Sequence, residues 1–279
     1  MKLARRVLRP VTRLFAGEIK RLLNGDPNQL VEELIRRRLV EDTAVAPYLA
    51  ALTDEEALVH YGGEEKPLVA DHLRLGVRYF HAWRVERLRA RIGTALAEST
   101  VLDVGDSDGL MLRALGKSGT AVNALPGAID HIRSNGVEAV LSKGESLPFE
   151  DSSFDHVLCF QTLEHVEDPY ALLVELARVA RRRVFVSIPG VRRTHVLPHD
   201  VSAPRGTEHC FELDREDFIA LTTHTPLEVV WDDVCRLLGR VRSPLERYRM
   251  RGRRSNDRGI LASTFTEFRL FELRHRSGA

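Results

Sequence analysis

Between Val101 and Leu110 the chain reads Val-Leu-Asp-Val-Gly-Asp-Ser-Asp-Gly-Leu, and no other stretch restricts the fold as much. Val101 to Val104 is too short for a helix and apolar on both faces, the character of a strand buried inside a parallel sheet. Gly105 and Gly109 bracket a tight turn, and Leu110-Met111-Leu112-Arg113-Ala114-Leu115 resumes with good helix formers. A strand, a glycine turn and a helix bring free backbone N–H groups and a positive helix end to one point. Such a point holds ligands that carry a carboxylate, a phosphate or ribose hydroxyls. Glycine serves there because a Cβ would keep the ligand away from the backbone. Two glycines in such a turn often mark only a connection, so the flanking sequence has to decide.

From Thr100 onward short aliphatic runs alternate with helical segments, the signature of a parallel sheet covered on both faces. Strands are predicted at Ala121–Ala124, Val137–Leu141, Phe154–Phe160, Val184–Ile188, Leu227–Trp231 and Thr264–Leu273, which with Val101–Val104 makes seven. Pro126 opens a helix to about Ser134, Asp168-Pro169 caps another with Leu172, Leu173, Leu176 and Val179 as its buried stripe, and Leu213-Asp214 begins a third. Residues 232–262 are arginine-rich and read as an exposed insertion.

Residues 1–98 read differently, as helices with no strands between them. Leu3, Val7, Val11, Leu14, Ile19 and Leu22 recur at near-helical spacing on a basic background. Asp26-Pro27 starts a second helix, a third segment spans about Val45 to Val59, and a long fourth follows Pro67 with Val69, Leu73, Val77, Phe80, Leu88 and Ile92 on one face. The expectation is a helical extension or cap over 1–98, forming one wall of a substrate pocket, ahead of a single α/β domain at 99–279. With 41 basic and 40 acidic residues the net charge is +1, so no global field favours nucleic acid. The basic N-terminus could touch an anionic membrane surface. Three cysteines, Cys159, Cys210 and Cys235, are odd in number and suit a reducing compartment, and no run reaches transmembrane length. A cytoplasmic location is therefore expected; the oligomeric state is not legible.

Further motifs follow in order: Glu145-Ser146-Leu147-Pro148-Phe149, Ser153-Phe154-Asp155 and Leu163-Glu164-His165-Val166. With the glycine turn, this series resembles class I S-adenosylmethionine-dependent methyltransferases, most closely the type 11 group that includes ubiquinone- and menaquinone-biosynthesis enzymes. The resemblance covers about Thr100 to Ile188. It implies a Rossmann-like seven-stranded sheet with helices on both faces and a reversed last strand. It implies S-adenosyl-L-methionine as cofactor and a small-molecule or lipid-like acceptor of the methyl group.

Residue by residue, the resemblance places Asp103 near the methionine amino group and uses Gly105 and Gly109 for close backbone approach. Asp106 and Ser107 stand where the family has small residues. Asn123, followed by Ala124, replaces an acid that grips the ribose hydroxyls. Gly144, Glu145, Ser146 and Leu147 border the adenine, with Lys143 in place of an adenine-reading aspartate. Gln161, Thr162 and Leu163 lie beside the methionine part and the reaction centre. A dinucleotide-binding oxidoreductase would need a third glycine and an acid after the second strand, where this chain has Arg113 and Asn123.

His165 and His209 are the candidate catalytic residues, with His195 and His199 in the same stretch of loop. Gln161–His165 together with His209–Glu212 also resembles the Glu-x-x-Glu-His plus distal His of small-RNA 2′-O-methyltransferases and some quinone O-methyltransferases, which use a divalent metal. Glutamine at the first position is a poorer ligand, so no metal is expected; Glu164, His165 and His209 would be its ligands. A metal-dependent RNA enzyme therefore ranks behind a small-molecule methyltransferase. The substitutions Ser107, Asn123 and Lys143 motivate a different alternative, a degenerate member that binds or scaffolds without activity.

Overall fold

The computed structural model describes residues 42–52, 59–61, 64–66, 71–191, 193–196, 209–236 and 267–276. Expectations for residues 3–39, for His199 and for the body of the arginine-rich stretch lie outside these residues.

The runs expected to be buried strands do form one sheet. It comprises β3 (Val101–Val104), β4 (Thr120–Asn123), β5 (Glu138–Leu141), β6 (Phe154–Phe160), β7 (Ala180–Pro189), β10 (Leu227–Arg236) and β11 (Glu267–His275). Their order is β10-β11-β7-β6-β3-β4-β5. Strands β5, β4, β3, β6 and β7 pair in parallel, whereas β11 runs antiparallel between β7 and β10. The reversed strand is the last one in sequence, β11. The order changes direction at β3: β4 and β5 lie to one side, β6 and all later strands to the other. Ligands of open α/β sheets bind at the carboxyl ends of strands at such a switch point, which puts the end of β3 at the centre of interest.

Helices follow the sequence cues. Asp168 caps α5 (Pro169–Val179) by accepting from Ala171 N at 2.9 Å, and Asp214 caps α6 (Arg215–Thr222) by accepting from Asp217 N at 3.0 Å. Leu172, Leu173 and Leu176 are fully buried with Val157, Cys159, Val184 and Val186, which forms the core on one face of the sheet.

The other face corrects the reading of the N-terminal region. Its third helix is only α1 (Ala46–Ala51), and two short antiparallel strands, β1 (Val59–Tyr61) and β2 (Glu64–Lys66), intervene before the long helix α2 (Asp71–Ile92). Helix α2 packs against the sheet and α3 (Leu110–Leu115). Tyr79, Trp83 and Leu88 are fully buried in one cluster with Val101 of β3 and with Leu110, Met111, Leu112 and Leu115 of α3. The core therefore runs straight across the 98/99 junction. Two further departures lie near the C-terminus. Strand β10 continues to Arg236, so residues 232–236 are sheet, and a two-stranded ribbon joins β8 (His195–Val196) to β9 (Phe211–Glu212). Short ribbons lack the length that makes alternation visible in sequence.

Two polar features sit inside this apolar frame. Glu272 of β11 is completely buried and holds Arg91 at 2.6 Å and Arg274 at 2.7 Å, tying α2 to the reversed strand. His156 of β6 is 2% exposed, and neither ring nitrogen has a hydrogen-bond partner. Burial, helped by nearby Arg183, lowers its pKa to about 4. A histidine whose folded pKa is depressed adds stability above its unfolded value near 6.5, and that stability is lost as pH falls toward 4. His156→Leu should raise stability at pH 7 by about 1 kcal/mol, since an unsatisfied buried polar group is removed. The gain should grow on acidification, and thermal denaturation at pH 7 and pH 5 measures it; an equal change at both pH values contradicts the assignment.

Candidate functional site at the end of the central strand

Strand β3 ends in Gly105, whose φ of +86° a residue with a Cβ rarely adopts. Its N–H donates to Val122 O at 2.7 Å, holding the turn against β4. A Cβ on Gly105 would lie 2.0 Å from Thr162 Oγ1, so the loop after β6 is pressed directly onto the turn. Gly109, at φ +74°, forms the junction with α3. Between the glycines the side chains brace the loop: Asp106 Oδ1 accepts from Asp108 N at 3.1 Å, and Asp108 Oδ1 accepts from Leu110 N at 2.8 Å. Such Asx contacts give the turn a fixed form.

Asn123, at the end of β4, donates through Nδ2 to Asp106 O at 2.7 Å and accepts at Oδ1 from Leu125 N at 2.9 Å. It locks the neighbouring loop and keeps one N–H and one lone pair for a ligand.

Three carboxylates gather here, and each is shifted upward. Burial, with the charge of Asp106 beside it, raises the pKa of Asp103 well above the usual carboxylate range. Burial, followed by the Asp108 charge, raises Asp106 to about 7, and burial also raises Asp108. Asp106 Oδ2 is buried without a hydrogen-bond partner. Their counter-charge comes from a residue the sequence reading passed over. Arg84 of α2 is 5% exposed, stacked 4.3 Å from the Phe80 ring centroid and 5.0 Å from that of Phe160. It donates to His81 Nδ1, and burial draws its pKa down to about 10 against the pull of Asp103, Asp108 and Asp106. The usable signal was an arginine directly after the aromatic run Tyr79-Phe80-His81-Ala82-Trp83.

The adenine-side candidates form a turn after β5. A Cβ on Gly144 would meet Leu172 Cδ1 at 2.7 Å. Leu147 and Leu163 are 4% and 1% exposed within the core, so only their backbones are available to a ligand. Glu175 Oε2 accepts from Leu147 N at 2.8 Å and steadies that turn. Ser107, Ala124, Glu145 and Ser146 lie in the loops at these strand ends.

On the far side of the turn Gln161 takes φ +52°, a strained value for a residue with a side chain. It donates through Nε2 to Ser187 Oγ at 3.2 Å on β7. Thr162 follows, and His165 N donates to Thr162 O at 3.0 Å, closing the short 3-10 turn Leu163–His165. Cys210 N donates to Glu164 O at 2.7 Å, which brings in the chain around His209. The His165 and His209 rings meet edge-on with centroids 4.7 Å apart. Glu164 is 2% exposed, and neither carboxylate oxygen has a hydrogen-bond partner. Ligand atoms of Glu164, His165 and His209 all lie within 4.8 Å of one another. His195 stands apart, on the exposed ribbon.

A parallel sheet reversed at its last strand, with a glycine turn at the switch point, defines an α/β protein of the Rossmann-like class I methyltransferase fold. Residues 102–188 match the family described as "Methyltransferase domain". Among curated proteins, the ubiquinone biosynthesis O-methyltransferase of Xanthomonas oryzae pv. oryzae is 30% identical over 166 residues, covering 53% of this chain and 65% of the relative. An uncharacterized methyltransferase of Mycolicibacterium gilvum is 36% identical over 100 residues, covering 33% of this chain and 39% of the relative. The chain thus spans just under two thirds of the length of the first of these. A crystal structure of a SAM-dependent methyltransferase from Thermotoga maritima, described as a possible histamine N-methyltransferase, superposes with a TM-score of 0.50 at 15% identity, covering 74% of this chain and 94% of the other. Among the described residues no helix is long and apolar enough to cross a membrane.

Proposed function

We propose that the chain is an S-adenosylmethionine-dependent methyltransferase acting on a small-molecule or lipid-like acceptor. The observation that carries this reading is the β3 turn, where Gly105 lets Thr162 pack against the backbone and the charge of Arg84 acts on Asp103, Asp106 and Asp108. A zwitterionic amino acid moiety needs that pairing: a buried guanidinium for its carboxylate, and an unpartnered carboxylate oxygen for its ammonium. The ubiquinone biosynthesis relative supports an oxygen acceptor.

When bound, S-adenosylmethionine supplies a methyl group already activated on a sulfonium. The protein's contribution is then position. Asn123 and the turn after β5 hold the nucleoside side through their remaining polar groups. Arg84, Asp103 and Asp106 fix the amino acid end. Gln161, Thr162 and the 3-10 turn border the reaction centre and set the distance to the acceptor. Orientation of this kind lowers a barrier by on the order of 7–11 kcal/mol. Burial raises the Glu164 carboxyl to about 7, and His209 is held by Glu212, so an acceptor hydroxyl at this edge meets groups able to take its proton.

Calorimetric titration with S-adenosylmethionine and S-adenosylhomocysteine tests the reading. One site with micromolar affinity and a matching rise in melting temperature is the expected result; no heat and no thermal shift with either compound overturns it and leaves the scaffold alternative. Mass spectrometry of a metabolite extract incubated with labelled cofactor then identifies the acceptor.

A further inference from the structure

We propose that Arg91, Arg183 and Arg274, gathered around the buried carboxylate of Glu272, bind one phosphate group, free or carried as a monoester on a small molecule, at the pole of the sheet opposite the β3 turn.

The place follows from the topology. The three arginines come from the end of α2, the first half of β7 and the end of the reversed strand β11. The parallel strands begin at this pole and end at the candidate methyl-transfer site. Along β7, about 13 Å of strand at about 3.3 Å per residue separates Arg183 from Ser187, the partner of Gln161. Each guanidinium is already held. Arg91 Nε donates to Glu272 Oε2 at 2.6 Å, and Arg274 gives two N–H groups to Oε1 at 3.0 and 2.7 Å. Arg183 Nε stands 3.6 Å from the same Oε1. Arg183 also donates to Arg91 O in the last turn of α2, where helix carbonyls favour a cation. Arg91 lies 5.0 Å from the ring centroid of Trp231, which supports it from β10.

One carboxylate does not balance three guanidiniums. The Glu272 side chain is 0% exposed, whereas those of Arg91, Arg183 and Arg274 are 33%, 23% and 45% exposed, so N–H groups not spent on Glu272 remain within reach of a ligand. Nearby on β7, Arg181 and Arg182 share Asp155, each at 3.2 Å. Among the described residues these five arginines form ion pairs with Glu272 and Asp155 alone. Glu228 is the strand partner of Arg274 on β10, yet Arg274 turns two donors to Glu272 instead. Burial lowers the pKa of Arg183; Glu272 opposes that, and the charges of Arg274, Arg91 and Arg182 add to it. A bound anion relieves this crowding of like charges. The geometry selects its class. A planar carboxylate is satisfied by a single guanidinium fork, whereas guanidiniums arriving from three elements suit the several oxygens of a tetrahedral oxyanion.

The test uses the full chain in a buffer free of oxyanions. Calorimetric titration with sodium phosphate and with glycerol 3-phosphate is compared with sodium chloride at matched ionic strength, then repeated in the presence of S-adenosylhomocysteine. One phosphate per chain with a dissociation constant below about 1 mM is expected, with a rise in melting temperature and no change on adding the nucleoside. Tighter binding of glycerol 3-phosphate identifies a phosphorylated small molecule as the ligand, and equal or weaker binding identifies free phosphate. Arg274→Gln and Arg183→Gln should weaken binding about 10- to 100-fold, and Arg274→Lys, which keeps the charge but not the fork, should weaken it less. Arg133→Gln, at the far edge of the sheet where Arg133 holds Ala139 O of β5, should bind as the wild type does. Circular dichroism checks each fold; the two glutamine variants sit on different strands, so the loss of one to misfolding leaves the other to decide. No phosphate heat beyond that of chloride, binding abolished by S-adenosylhomocysteine, or wild-type binding in the folded glutamine variants overturns the assignment. Retention of a short RNA by a chain that ignores both phosphate compounds overturns it as well.

Discussion

Gly105→Ala should melt roughly 5–15 °C below the wild type and lose the thermal shift given by S-adenosyl compounds. Two costs add. A Cβ at φ +86° carries left-handed strain of about 1–2 kcal/mol. It also arrives 2.0 Å from Thr162 Oγ1 and 2.4 Å from Cγ2, an overlap that forces the β6 loop outward at about 1–3 kcal/mol. For a chain of this size each kcal/mol moves the midpoint by about 2–4 °C. Thr162→Gly in the same chain should restore the steric part and leave the backbone strain, so the four-member cycle should show a coupling of about 1 kcal/mol or more. A Gly105→Ala chain with wild-type melting and ligand response would remove the close approach from the argument.

Arg84→Met should be the most damaging change in α2, and more so in mild base than in mild acid. Methionine keeps an apolar stem between Phe80 and Phe160 while removing the charge. Loss of one member of a buried charged group costs about 3–5 kcal/mol. The pH dependence follows from the acids left behind. Asp103, Asp106 and Asp108 have raised pKa values, Asp106 to about 7, so the folded state holds protons that the unfolded chain releases above about pH 4. Their contribution to stability is fully present below the unfolded value and is lost as pH rises through the folded one. Arg84 limits that loss by pulling Asp103 and Asp108 down, and without it the loss deepens. The melting difference from wild type should therefore be large at pH 8 and small at pH 5. A difference that is flat across this range would mean that the guanidinium does not neutralise the turn.

The strands were legible because each is an aliphatic run broken by glycine, proline or asparagine. Val101–Val104, Phe154–Phe160 and Val184–Ile188 announce themselves in this way. The glycine turn and the caps at Asp168 and Asp214 were likewise readable from residue type and spacing, whereas the pairing of His165 with His209 came from the resemblance. Other features arise only in three dimensions. Arg84 reads as one more arginine until α2 is laid across the sheet, since what makes it special is three acids that follow it in sequence. Gln161 reads as a weak ligand, but its departure to Ser187 depends on a backbone angle that no propensity foretells. The extension of β10 to Arg236 was hidden by its acidic residues, Asp232 and Asp233, which Arg215, Arg269 and Arg87 neutralise from neighbouring elements.

The continuity of one core across the 98/99 junction has a consequence for how this molecule is assembled. Chains shortened at their beginning should not tolerate the loss of α2. Without it, the sheet would be left with an oily, uncovered side, and the acidic crevice would lose the guanidinium of Arg84. Protease resistance and ligand recognition should thus disappear together at one cut position, because a single helix both roofs the interior and completes the charge lattice of the crevice.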